Sequence, residues 1–326
     1  MRNKIKSQRF IWIDIMLTLA ALSLMQYFYY GARAVVLSGI CIVVSTAAEL
    51  ISLRMMKRKF TADDLTCISD AMILSLMLPA AIDYKIAGIA CVFAVTIAKN
   101  LFGGRKNMIF SPAAAAYLFI LTSWKKDVLM FTAPHVHTGV FDKASELVSS
   151  ASHNFNTTGK MNATDFEILM GNISGPAGAV SILLLAVAAL ILLLRRDISS
   201  GAFLGTIAGT VLLAVAAPMS VTVGDSVKYT LASNMVLFAA IYIISDRRIA
   251  PKHNYYAFFY GFFIAVFSYI FVLTTAKENA VIIVSVLFTP VALGLKNLEK
   301  RIDDLAAKEQ EAALSESEEA KIADEQ

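Results

Sequence analysis

The sequence predicts an all-α integral membrane protein, with about ten transmembrane helices in two inverted five-helix repeats that contain broken or short helices. Three observations predict it. The first is composition: 57% of the 326 residues are hydrophobic and 17% charged, against roughly 45–50% and about 25% in a soluble domain. The second is the length of the apolar runs. Asp14 is the one charge between Phe10 and Tyr30, Glu49 the one between Ala34 and Leu53, and Ile173 to Leu194 has none. A crossing needs roughly 20 apolar residues, and in lipid only a helix pairs its own backbone groups. The third is the distribution of Lys and Arg, which alternates between successive loops.

Spans are predicted at 9–30, 34–53, 66–82, 86–102, 109–124, 173–194, 202–223, 229–245, 254–275 and 279–295. The first run is too long for a signal-peptide core and is followed at once by another span, so it reads as the first membrane helix. Loops on one side carry Arg2, Lys4, Lys6, Arg9, Arg54, Lys57, Arg58, Lys59, Lys99, Arg105, Lys106, Arg195, Arg196, Arg247, Arg248, Lys252, Lys296, Lys300 and Arg301. The other side has only Arg33, Lys85, Lys125, Lys126, Lys143, Lys160, Lys228 and Lys277. The positive-inside rule puts the richer set, and both termini, in the cytoplasm. Residues 1–296 then form a membrane domain with halves at about 9–124 and 173–295. Residues 125–172 form an extracytoplasmic loop rich in Ser, Thr, Asn and His, of a length that is usually functional or disordered. Residues 297–326 form an acidic cytoplasmic tail. Pro79 ends span 3, Pro112 opens span 5, and Asp246 with Pro251 closes span 8. Interrupted helices at matching places in two halves point to a repeat pair around a midplane site.

Carboxylates within membrane segments are costly and usually functional. Asp14, Glu49, Asp64, Asp70 and Asp246 all fall near the cytoplasmic side. They are candidates for a proton or cation path, or for interfacial partners of the nearby Arg and Lys. The sharpest local motif runs from Lys99 through Phe102, Gly103, Gly104, Asn107, Phe110 and Ser111 to Pro112. Glycines let backbone approach a ligand, and Pro112 suits the first turn of a helix whose free N–H groups attract an anion. A tight cytoplasmic turn is the plainer reading of the same residues. Cys41, Cys67 and Cys91 are dispersed and read as packing residues. His135, His137, His153 and His253 form no metal-binding pattern, so no metal is expected, and nothing indicates nucleic acid.

With the glycine turn in view, the chain resembles the RnfD/NqrB family, membrane subunits of Rnf and sodium-pumping NADH:quinone reductase complexes. The likeness extends to Asp14, Tyr30-Gly31, Glu49, Asp64 before Leu78-Pro79, Ser245-Asp246 with Pro251, and Asn279-Ala280-Val281 after Glu278. It implies a subunit that passes electrons through flavin, FMN or riboflavin, coupled to Na⁺ or H⁺ translocation. It implies a bacterial inner membrane, other Rnf-type membrane subunits and an extracytoplasmic flavoprotein subunit as partners. Lys99, Gly103, Gly104, Asn107, Ser111 and Pro112 would contact the flavin.

The sequence also departs from that family. The family attaches FMN covalently to the Thr of Ser-Gly-Ala-Thr in the loop before span 6, and that motif is absent. The nearest pieces are Ser149-Ser-Ala-Ser152, Asn156-Thr-Thr-Gly159 and Ser174-Gly175-Pro176-Ala177. The family's Gly-Glu-x-Ser reads Gly178-Ala179-Val180-Ser181, its Thr-Gly in span 3 reads Asp70-Ala71, and the Asn of its Phe-Asn-Pro is Ser111. The alternative that these departures keep open is a flavin-free transporter or channel-like membrane scaffold.

Overall fold

The computed structural model describes residues 8–59, 61–102, 104, 108–137, 139–142, 147–220 and 222–305. Within them the regular structure is helical, apart from one bridge between Phe131 and Val148. Helices α1 (Gln8–Tyr30) and α2 (Ala32–Met55) are followed by the shorter α3 (Thr66–Met77). Then comes α4 (Tyr84–Phe93), whose last turns, Ala94–Leu101, widen to π-type bonding, and α5 (Pro112–Ser123). The 125–172 segment holds α6 (Ala151–Thr158) and α7 (Asp165–Met170). The remainder comprises α8 (Ile182–Leu194), α9 (Ser200–Ala216), α10 (Val223–Ala232) and α11 (Val236–Ala239), the last widened over Ala240–Ile244. It ends with α12 (Asn254–Thr275), α13 (Ala280–Leu287) and α14 (Thr289–Leu305).

Among the described residues, four helical stretches are long and apolar enough to cross a membrane: Ile11–Tyr30, Ala32–Met55, Tyr84–Leu101 and Asn254–Thr275. The pairs α10–α11, bent by 55°, and α13–α14, bent by 47°, raise that to six if each pair is one span. Large apolar side chains such as Leu17, Phe28, Val43, Leu190 and Phe267 face outward. The chain is a multi-pass membrane protein, because exposed apolar surface on this scale needs lipid to cover it.

Two predicted spans are corrected. Residues 78–82 leave the helix of span 3: Leu78 is extended at φ −86°, ψ 152°, and a turn follows, in which the Ile82 N–H donates to the Pro79 carbonyl (3.2 Å). Residues 173–181 are irregular, and α8 begins only at Ile182, after its Ser181 cap. Both stretches looked helical because they are apolar and free of charge. They are apolar because protein, and not lipid, buries them: Leu78, Ala80, Ile82, Ile173, Ala177 and Val180 are all buried. Each then needs partners for its backbone. The Gly178 N–H donates to the Leu76 carbonyl at the end of α3 (2.9 Å), and a Cβ on Gly178 would collide with Leu76. Tyr30 donates its hydroxyl to the Ile173 carbonyl (3.2 Å).

For the first stretch the partner is Arg33, which is buried in the first turns of α2. Its Nε donates to the Ala80 carbonyl (3.1 Å), and its Nη2 to those of Ala81 (3.3 Å) and Ile82 (3.2 Å). Its Nη1 donates to the carbonyls of Val140 (3.0 Å) and Asp142 (2.7 Å). All five guanidinium N–H groups are thereby engaged. The guanidinium also lies over the Tyr84 ring at 4.8 Å.

The 125–172 segment packs on one end of the helices, the loop end. It meets the α1–α2 turn through the His135 N–H and the Tyr29 carbonyl (2.8 Å), and the α9–α10 link at Met219, against Gly159. At the α10–α11 break, Asn234 and Met235 are both left-handed, with φ 55° and 56°. There Asn234 pairs with Asn156 of α6. α9 and α12 lie closest together: the backbone carbonyls of Asn254 and Phe258 fill the space a Cβ would need on Gly201 and Gly205. The short elements α3, α5, α11 and α13 pack in the centre: α5 contacts both α3 and α13, and α13 contacts α11.

Arg33→Met is expected to cost at least ~3 kcal/mol, since each stranded buried carbonyl costs ~1–3 kcal/mol. Reversible denaturant unfolding in detergent would measure it, with new proteolysis near 78–83. Arg33→Lys, with three donors, should recover part of the loss.

Candidate functional site

At the end opposite the loop, α1, α2, α3, α4, α8 and the α11–α12 link bring together most of the charged residues expected to matter. Glu49 lies near the end of α2, in a stretch with no other charge before Arg54, and is buried among helices. Lys99 comes from the widened turn of α4 and donates to Glu49 Oε1 at 2.8 Å, with both side chains at most 2% exposed. Asn100 donates to the other oxygen, Oε2, at 3.2 Å. Widened turns recur at functional sites, and here the extra residue aims Lys99 and Asn100 at one carboxylate. Cys67 of α3 packs beside this pair with Ala48 and Val95.

A second cluster joins the two halves of the chain. Asp70 is buried one turn inside α3. The Arg248 guanidinium grips both of its oxygens, Nη2 to Oδ1 at 2.7 Å and Nη1 to Oδ2 at 3.2 Å. Arg248 also holds Asp246, Nε to Oδ2 at 2.7 Å, and sits over the Trp12 ring at 4.8 Å. Lys296 of α14 donates to the Arg248 carbonyl at 2.9 Å. Paired, fork-on-fork geometry of this kind is the strongest that arginine makes with carboxylates. The hydroxyls of Thr66, one turn before Asp70, and Ser245, next to Asp246, are buried with no hydrogen-bond partner among the described residues.

The five candidate carboxylates are thus distributed unequally. Asp70 and Asp246 meet through Arg248. Glu49 has its own lysine, and Cys67, which feels the charges of both Glu49 and Asp70, lies between the two clusters. Asp14 pairs with the half-exposed Arg195 at 2.8 Å. Asp64 accepts from the Thr61 N–H and hydroxyl, both at 2.8 Å, and so closes its own turn.

Of the predicted flavin contacts, Lys99 is committed to Glu49. Ser111 caps α5, accepting from the Ala114 N–H at 3.4 Å, and Pro112 occupies the first helical position as expected. Gly104 is left-handed at φ +71°, with the Arg58 and Asn100 side chains nearest. Phe102 and Phe110 meet edge to face across the turn at 5.3 Å. Gly103 and Asn107 lie outside the described residues.

In the segments nearest to the covalent flavin motif, the hydroxyls make local contacts. Ser150 is fully buried and caps α6 through the His153 N–H (2.9 Å). Thr157 and Thr158 donate to carbonyls within their own helix. The cysteines are free and buried, and no metal-binding group of His, Cys, Asp and Glu occurs among the described residues.

Three largely buried charged residues are not evident from the sequence as site residues. Arg248 and Arg33 stand out there only as topology markers, and Glu278 only as a landmark before Asn279. A signal exists for Arg248, since an acid two residues before an arginine at a span boundary favours a local pair. For Arg33 and Glu278 the signal is only their position beside apolar runs.

The chain matches the NQR2, RnfD, RnfE family over residues 1–295, and it belongs to that family. It is similar to the D subunit of the Na⁺-translocating ferredoxin:NAD⁺ oxidoreductase complex of Acetobacterium woodii, 26% identical over 242 residues. That match covers 73% of this chain and 71% of the relative. It is also similar to the D subunit of the ion-translocating oxidoreductase complex of Shewanella frigidimarina. That match is 29% identical over 140 residues, covering 42% of this chain and 38% of the relative.

Replacing Lys99 by Met is expected to destabilise the protein by ~3–5 kcal/mol, the usual cost of stranding one member of a buried ion pair. The double change Glu49→Gln/Lys99→Met should recover most of that. Equal losses in single and double variants, measured by reversible unfolding, would show that the two charges do not depend on each other.

Proposed function

We propose that this protein is the D-type membrane subunit of an Rnf-type electron transport complex, coupling electron passage to translocation of Na⁺ or H⁺. The observation that carries the reading is the family match across the whole membrane domain. The names of the two relatives support it.

The proposed topology is ten passages in two inverted five-helix halves. The 125–172 segment faces outside, and both termini lie at the cytoplasmic face of a bacterial inner membrane. Support comes from segregation. The links after α1, α9 and α12 touch the 125–172 segment, and Arg33 bridges the link after α3 to it, whereas Asp14, Glu49, Asp70, Arg195 and Arg248 gather at the opposite end. That opposite end carries the larger share of Lys and Arg, as cytoplasmic ends do. Partners are the complex's other membrane subunits and an extracytoplasmic flavoprotein docked on the loop end.

The ion path runs through Asp70, Arg248 and Asp246. Two carboxylates from opposite halves and two unpartnered hydroxyls, on Thr66 and Ser245, supply the oxygen ligands a hard cation prefers. Movement of Arg248 away from either aspartate would open such a site. The flavin, FMN or riboflavin, is bound without a covalent link at the glycine turn. Gly104, the Phe102–Phe110 pair and the first turn of α5 would hold it. When bound, it supplies the redox chemistry, while the protein supplies position and charge.

Two measurements test this. Acid precipitation of the purified protein should release FMN or riboflavin, with no in-gel fluorescence after denaturing electrophoresis. Release of neither flavin would favour the flavin-free scaffold. In the assembled complex in proteoliposomes, Asp246→Asn is expected to lower electron-driven ion uptake at least ~10-fold, the scale of losing one ~1.4 kcal/mol interaction in the limiting step. Unchanged uptake would remove Asp246 from the path.

A further inference from the structure

A carboxylate at the loop end has no part in the proposed function. Glu278 lies in the four-residue link between α12 and α13 and is only 6% exposed. Its contact is the Ser150 hydroxyl, which donates to Glu278 Oε2. Ser150 is itself fully buried and also accepts the His153 N–H, so it fixes the start of α6.

The rest of α6 lies over two interruptions in the helices. Ser152 accepts the Asn234 N–H at 3.0 Å, within the break between α10 and α11. Asn156 and Asn234 exchange amide hydrogen bonds at 2.7 and 3.0 Å. Asn156 also reaches the carbonyl of Ala276 at 3.4 Å, where α12 ends in a left-handed residue. Ser150, Ser152 and Asn156 therefore tie one short helix to both interruptions.

Among the described residues, the surroundings of Glu278 supply no countercharge. The neighbouring Lys277 places its ammonium over the Phe271 ring at 5.6 Å. His153 is exposed on α6, and the remaining contacts from α6 and the α10–α11 break are neutral. Tyr117 of α5 is the titratable group that faces Glu278. It lies beside Asn279, and its buried hydroxyl makes no hydrogen bond of normal geometry. A buried carboxylate with hydroxyls around it and no cation is stable mainly as the neutral acid.

We propose that Glu278 is a proton-binding site, and that its protonation latches α6 over the two helix breaks. The reaction is a simple proton uptake from the aqueous phase, carboxylate to carboxylic acid, with no electron moved. The contact with Ser150 survives it, since the acid O–H can donate where the serine hydroxyl donated before. On losing the proton, the carboxylate needs water, and it obtains water only if α6 lifts.

The sign follows from burial, which pushes Glu278 up to about 7 against the opposing pull of the Ser150 hydrogen bond. With α6 lifted, the carboxyl is in water, at the ordinary ~4.3. Between these values the latched state binds more protons. Latching is complete below the lower value, weakens ~tenfold per pH unit between them, and is flat above the upper one.

The test is hydrogen–deuterium exchange of the full chain in lipid nanodiscs, corrected for intrinsic rates. Protection of residues 151–158 should fall ~tenfold per unit from pH 5 to 7, as the linkage requires, while α9 and α12 stay constant. Glu278→Gln should hold the low-pH protection throughout. Protection independent of pH in the wild type, or the same slope in Glu278→Gln, would overturn the proposal. A second readout needs no folded variant. Infrared difference spectra of the wild type should show a carboxylic acid C=O band lost with a midpoint near 7. Absence of any such band titrating above pH 6 would also overturn it.

Discussion

Arg33 spends every donor it has on backbone carbonyls, and the central architecture rests on that. Inside a membrane, chain that is not helical has no water to pair with. The turn after α3 is such chain, and without Arg33 the carbonyls of Ala80, Ala81 and Ile82 would be stranded. Because it is satisfied, α3 can stop at Met77 and leave room beside α5. The same guanidinium also holds Val140 and Asp142, so the loop segment is fixed to the helix core through one side chain. Gly178 does the equivalent for the end of α3, with a backbone donor.

Shortened and broken helices concentrate polar chemistry at their ends. At one end, Asp70 near the start of α3 and Asp246 after α11 share Arg248, so the two halves of the chain are joined by charge as well as by packing. Glu49 and Lys99 form a second pair, between α2 and α4, with Cys67 between the clusters. Buried pairs of this kind add little net stability over well-packed apolar residues. Their cost is consistent with a functional use, since each holds charge that a moving cation or electron would feel.

At the other end the polar groups are amides and hydroxyls, and the deeply placed carboxylate of Glu278 has no cation beside it among the described residues. The contrast sets different tasks for the two ends. At one end each buried carboxylate has a cation beside it, whereas at the other Glu278 meets the hydroxyl of Ser150.

The sequence by itself determined the class of protein, a helical multi-pass membrane chain, and the family, because lipid dictates run length and loop charge regardless of detail. It also picked out Glu49, Asp70 and Asp246, since carboxylates in apolar runs need a reason to be there. It did not separate helix from buried irregular chain at 78–82 and 173–181, because burial in protein and burial in lipid select the same apolar residues. Nor did it show that Lys99 belongs to Glu49, that Arg248 joins Asp70 to Asp246, or that Arg33 caps a broken span. Those pairings link residues 50, 178 and 47 positions apart. Only the tertiary structure decided them, because a buried charge is matched by whatever side chain the packing brings within hydrogen-bonding distance.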